Sequence, residues 1–151
     1  MANALEIPFV DLDSEIVHRE SRSINEIFER EGEAYFRKLE SDVLNDFCQD
    51  GQDMILSTGG GAPVHGSNID RMLESGTVVW LDMDREMIIN RLLQSDKRPL
   101  VKDKSEEELS DFVSSHLDER IPFYQKAHFR FQSGNLTSER LTELVDLVQS
   151  R

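Results

Sequence analysis

The chain has 151 residues, 38% of them hydrophobic, and carries 30 acidic against 17 basic side chains, a formal charge of -13. Its length is that of one domain with a proper core, and its charge repels nucleic acid and anionic membranes over long range. No apolar run reaches membrane-spanning length, the first residues lack the basic-then-apolar order of a signal peptide, and the lone Cys48 has no internal partner. A soluble, cytoplasmic protein is expected. An anionic ligand would need arginines gathered locally against the overall field.

Residues 1–5 carry helix-favouring side chains with no start signal. Residues 7–13, Ile-Pro-Phe-Val-Asp-Leu-Asp, read as a strand entered through a proline, where a missing N–H does least harm. Strand alternation then puts Asp11 and Asp13 on one face, roughly 7 Å apart. Two such carboxylates can share a site, one toward a hard cation and one toward a substrate hydroxyl. Equally, Asp13 can cap a helix beginning at Ser14.

Ser23-Ile24-Asn25-Glu26 is a capping box. Ile24, Ile27, Phe28 and Tyr35 follow at helical spacing, Gly32 marks a break, and Phe36, Leu39, Val43 and Phe47 form a second apolar stripe. Arg37 and Glu40 lie three apart and can pair on one helix face.

Residues 54–63, Met-Ile-Leu-Ser-Thr-Gly-Gly-Gly-Ala-Pro, are the centre of the chain. A short apolar run, read as a buried strand, empties into Gly59, Gly60 and Gly61. Consecutive glycines belong where backbone takes positive φ or where a ligand needs peptide N–H groups without Cβ atoms in the way. In open α/β sheets ligands sit beyond the carboxyl ends of strands. A tight solvent turn ended by Pro63 is the plain alternative.

Residues 67–75 read as a helix closed by Gly76, residues 77–82 as a buried parallel strand, and residues 85–94 as a helix with Met87, Ile88, Leu92 and Leu93 facing in. Residues 95–108 are charged and turn-rich; Arg98 precedes Pro99, as on a closing flap or an ordinary exposed loop. Residues 109–118 are helical, and Pro122 signals a new helix start or a kink. Residues 129–131 form a last short strand and residues 138–149 a closing amphipathic helix. Strands alternating with helices indicate an α/β fold with a parallel sheet.

The four histidines show no zinc-type spacing, no Gly-x-Ser-x-Gly occurs, and no lysine follows a glycine, so the Gly-x-x-x-x-Gly-Lys-Ser/Thr phosphate cradle does not occur in these residues.

The motifs at residues 9–13, 23–28, 32–40, 57–63, 98–100 and 120–124 together resemble the shikimate kinase family, in its order and at its usual spacing. The resemblance implies a nucleoside-monophosphate-kinase-like P-loop fold, a parallel sheet flanked by helices. It has one domain, with a substrate-binding helical region at about 14–48 and a lid at about 95–108. It implies transfer of the γ-phosphoryl of ATP to the 3-hydroxyl of shikimate, with Mg²⁺, by a monomer. By motif, Asp13 would hold shikimate hydroxyls and accept the departing proton, and Asp11 would hold Mg²⁺ through water. Arg37 and Arg120 would clamp the carboxylate, and the loop of Gly59, Gly60 and Gly61 would offer it N–H groups. Arg98 would approach the transferring phosphate and Arg91 would lie near the adenine. Phe28, Phe36 and Glu40 would shape the pocket.

Against the family pattern, the first strand and the lysine-bearing phosphate loop are not found here. Little kinase activity and reduced stability are therefore expected of these 151 residues by themselves. A binder of a small acid without catalysis, or a related enzyme such as a gluconate kinase, are the alternatives.

Overall fold

A computed structural model describes residues 1–94, 105–134 and 137–150. Two compact units make up the chain: Met1–Val78 with Ser138–Arg151, and Val79–Thr137.

The first unit opens with a short helix, α1 (Ala2–Leu5), and a strand, β1 (Phe9–Asp11). The strand stops at Asp11 because the Asp11 carboxylate accepts the Ser14 N–H and starts helix α2 (Leu12–Glu20). This corrects two sequence expectations. Asp13 is helical rather than on a strand face with Asp11, and the cap is Asp11 rather than Asp13. Leu12 and Ile16, four residues apart on α2, are fully buried.

Helix α3 (Ile24–Asp50) begins at the expected capping box of Ser23 and Glu26. Gly32, at φ 81° and ψ 173°, breaks it into two helical segments, as its position had indicated. Ile27, Phe36, Val43 and Leu44 are buried against Leu12, Ile16 and Ala62, with Leu39 and Phe47 packed on that cluster. Tyr35, placed on the apolar stripe by its spacing, is instead exposed, because the break at Gly32 resets the helical phase.

Strand β2 (Ile55–Ser57) pairs parallel with β1, Phe9 opposite Ile55 and Asp11 opposite Ser57. It is half-buried rather than buried. After the glycines a 3-10 turn (Ala62–Val64) leads to helix α4 (Asn68–Ser75), closed at Gly76. The closing helix of the chain belongs to this unit and spans Ser138–Gln149 as expected, with Leu144 buried.

In the second unit, β3 (Val79–Asp82) pairs parallel with β4 (Phe129–Gln132). Arg130 holds Asp82 through Nε at 2.9 Å and Nη2 at 2.6 Å and stacks over Trp80. Leu81 is 54% exposed, so β3 is not covered on both faces as its apolar run had implied. Helix α5 (Arg85–Leu93) leaves Leu93 exposed rather than facing in, since Leu92 already occupies the inward phase at the last turn. Helix α6 (Glu106–Tyr124) starts at a second capping box, Ser105 with Glu108, and runs unbroken through Pro122. Pro122 has no N–H to give the helix ladder, so the helix continues through it with one backbone hydrogen bond fewer. Leu109 and Val113 of α6 and Phe131 of β4 are the buried apolar residues of this unit among those described.

The described strands thus form two parallel pairs. Helix α7, Ser138–Gln149, is the last element. Of the segment expected to form a lid, 95–104 lie outside the described residues, and Ser105 to Glu108 are the cap and first turn of α6.

Candidate functional site

Parallel pairing decides which groups can meet in the first unit. Asp11 ends β1 opposite Ser57, which ends β2, so the turn into α2 and the glycine turn leave from the same edge. That carboxyl edge is where α/β proteins place ligands.

The Asp11 Oδ1 accepts from Ser14 N at 3.0 Å and from Ser14 Oγ at 3.1 Å. Both bonds fall on one oxygen. Asp13 follows in the first turn of α2. Partial loss of solvent around its carboxyl pushes the Asp13 pKa above the ordinary aspartate range, the charge of Asp11 adds to the rise, and the Arg37 guanidinium opposes it. Asp13 is therefore within electrostatic reach of both Asp11 and Arg37.

Arg37 sits on α3, half-buried. Its Nη1 donates to Glu40 Oε1 at 3.2 Å and Oε2 at 3.0 Å, and its Nε donates to Glu33 Oε1 at 3.4 Å. Glu40 is 3% exposed, a burial that a carboxylate tolerates because it is paired. The guanidinium also lies 5.2 Å from the centre of the Phe36 ring, which packs on Phe28 at 4.6 Å between centroids. Held on one side by its own helix, Arg37 keeps the outer edge of its fork for a further acceptor.

The glycine turn lies against that fork. Gly59 has φ 68°, a backbone conformation that favours glycine. A Cβ on Gly61 would fall 2.6 Å from Arg37 Nη1 and 3.3 Å from Nη2, so only glycine lets the guanidinium approach the loop this closely. Gly60 between them is exposed. The edge therefore gathers two carboxylates, one guanidinium and a turn of backbone without side chains.

Among the described residues no cluster of three or more His, Cys, Asp or Glu side chains could hold a metal ion. Asp11 supplies a hard oxygen donor beside a second carboxylate, which suits a divalent cation that keeps most of its water. The donor set fits an outer contact to Mg²⁺ and not an all-protein cage.

The remaining expected residues are on the second unit or outside the described residues. Arg91 is exposed in the last turn of α5, and Arg120 is half-buried on α6. Arg98 lies outside the described residues. Sequence reasoning missed Ser41 and Asn68, which tie the glycine turn to α3. Their separation of 27 residues follows no helical or strand period, so only the folded chain shows them as partners.

Fold and site together define an α/β protein whose strand edge gathers two carboxylates, a guanidinium and a glycine turn. A family model described as shikimate kinase matches residues 1–149. The chain is 38% identical over 137 residues to a shikimate kinase of Bacteroides fragilis, covering 90% of this chain and 76% of that one. It is 35% identical over 145 residues to a shikimate kinase of Aquifex aeolicus, covering 96% and 83%. The crystal structure of shikimate kinase from Bacteroides thetaiotaomicron superimposes with a TM-score of 0.87 at 32% identity, covering 99% of this chain and 85% of that one. The Acinetobacter baumannii enzyme in complex with shikimate gives 0.83 at 31% identity, covering 99% and 82%. The chain belongs to the shikimate kinase family. It is a phosphotransferase of the α/β P-loop kinase fold, as the resemblance implied. Neither the non-catalytic binder nor the gluconate kinase alternative is favoured by these matches.

Proposed function

We propose that the carboxyl edge of β1 and β2 is the acceptor site for shikimate, whose 3-hydroxyl receives the γ-phosphoryl of ATP. The observation that carries the reading is the convergence of Asp13, Arg37 and Gly61 at one strand edge.

In this reading Arg37 binds the shikimate carboxylate through its outer donors, with peptide N–H groups of residues 59–61 completing the carboxylate site. Glu40 keeps the guanidinium oriented before substrate arrives. Asp13 accepts hydrogen bonds from the ring hydroxyls and takes the proton that leaves as the oxygen attacks. A carboxyl whose pKa is raised is a better base than an ordinary aspartate, and the Arg37 charge opposes that rise. Asp11 would hold Mg²⁺ through water; that ion, when bound, neutralises the charge of the transferring phosphates.

Arg120 is assigned to the substrate carboxylate, Arg98 to the transferring phosphate and Arg91 to the adenine. The assignment also takes the chain as one domain, with a substrate-binding region at about 14–48 and a lid at about 95–108, acting as a monomer in the cytoplasm.

Titration calorimetry with shikimate, alongside an ADP-release assay with ATP and Mg²⁺, tests the reading. Arg37→Ala should weaken shikimate binding by about tenfold or more, and Asp13→Asn should remove whatever turnover the unaltered chain shows while the chain still binds shikimate. Failure of the unaltered chain to bind shikimate, or indifference of that binding to Arg37, would overturn it.

A further inference from the structure

Asn68, the first residue of α4, is fully buried. Its Nδ2 donates twice, to Ala62 O at 2.9 Å and to Ser41 Oγ at 3.0 Å. The Ser41 hydroxyl in turn donates to Arg37 O at 2.9 Å. One amide nitrogen therefore connects the residue following Gly61 to the turn of α3 that carries Arg37.

The other end of the amide is left over. Asn68 Oδ1 is buried with no hydrogen-bond partner. Turning the amide over would set that oxygen against the Ala62 carbonyl, one acceptor facing another, so the orientation is fixed. A buried acceptor without a partner opposes folding, and an apolar side chain would avoid it. What no apolar side chain can supply is two donors on one atom aimed at two different elements.

We propose that Asn68 is a positioning residue for the acceptor site, setting the distance between the glycine turn and the Arg37 guanidinium. The proposal rests on the acceptor reading above. A carboxylate bridging the loop N–H groups and Arg37 needs both in register, and Gly61 and Arg37 already lie too close for even a methyl group between them. Ser41 is the middle link, and Asn68 the anchor.

Three variants and two measurements test this. Asn68→Asp keeps the shape and removes both donors, Ser41→Ala removes the middle hydroxyl with the least disturbance to the fold, and Ser41→Thr keeps the hydroxyl. Hydrogen–deuterium exchange of the ligand-free chain should show faster exchange across residues 58–64 in Asn68→Asp and Ser41→Ala, and near-native exchange in Ser41→Thr. Shikimate affinity, measured well below the unfolding temperature, should fall roughly tenfold in the first two, the loss of about one orienting hydrogen bond. That loss should vanish when Arg37→Ala is already present.

Unchanged loop exchange in Ser41→Ala overturns the proposal, and so does an affinity loss that persists undiminished without Arg37. If Asn68→Asp does not fold, Ser41→Ala against Ser41→Thr decides by the same readouts. If the unaltered chain does not bind shikimate, the acceptor reading fails by itself, and the exchange comparison still decides whether Asn68 holds the loop.

Discussion

Asp13 shows how one carboxylate can serve chemistry and oppose stability together. Its pKa is raised in the folded chain, so the native state binds this proton more tightly than the unfolded state does. The destabilisation is absent below the ordinary aspartate pKa, grows as pH rises through the interval up to the raised value, and is constant above it. Asp13→Asn should therefore melt higher than the parent at pH 7 and level with it near pH 3. Thermal unfolding of both proteins across that range checks the sign. Gly61→Ala should act on Arg37 rather than on the fold: with a Cβ 2.6 Å from Nη1, the guanidinium must move. Shikimate affinity should drop by about tenfold, roughly the strength of one displaced charge-assisted contact, and calorimetry reads it directly.

At the scale of the element, α3 carries most of the acceptor side, and two local devices set its course. The Ser23 and Glu26 capping box starts it. Ser23→Ala should lower the melting temperature by about 2–4 °C, the usual effect of a lost cap in a chain of this size. The bonds from the Ser23 backbone and hydroxyl also hold the Glu26 carboxyl below its usual range, so this cap weakens as pH falls. Gly32 turns the helix at φ 81° and ψ 173°, a region nearly closed to other residues, although a Cβ there would meet nothing within 4 Å. Gly32→Ala should thus cost about 1–3 kcal/mol through backbone strain alone, which urea unfolding measures. The cap and the break were both legible from residue type and spacing, because each depends on a few neighbouring residues. The end of β1 was not: Asp11 and Asp13 fit an alternating strand equally well until Ser14 N–H is seen to bond Asp11.

For the whole molecule the dominant long-range fact is a formal charge of -13. Self-repulsion of that size destabilises a folded chain and is screened over about 8 Å at physiological ionic strength. The melting temperature should therefore rise as sodium chloride is raised from 10 to about 150 mM, the range over which the screening length shortens most. A fall would show instead that local ion pairs such as Arg130 with Asp82 outweigh the net field. No described helix is long and apolar enough to cross a membrane.

Sequence alone determined the order of strands and helices, the capping box, the Gly32 break, the pairing of Arg37 with Glu40 and the family, since each is written in near neighbours or in motifs of fixed spacing. Tertiary structure decided which of those residues share a site. Parallel pairing of β1 with β2 brings Asp11 to the edge from which the glycine turn departs, although 48 residues separate Asp11 from Gly59 in the sequence. It also revealed the Asn68 to Ser41 link and the need for glycine at 61, because close approach between distant segments leaves no periodic trace in a chain and exists only once both are packed against the same core.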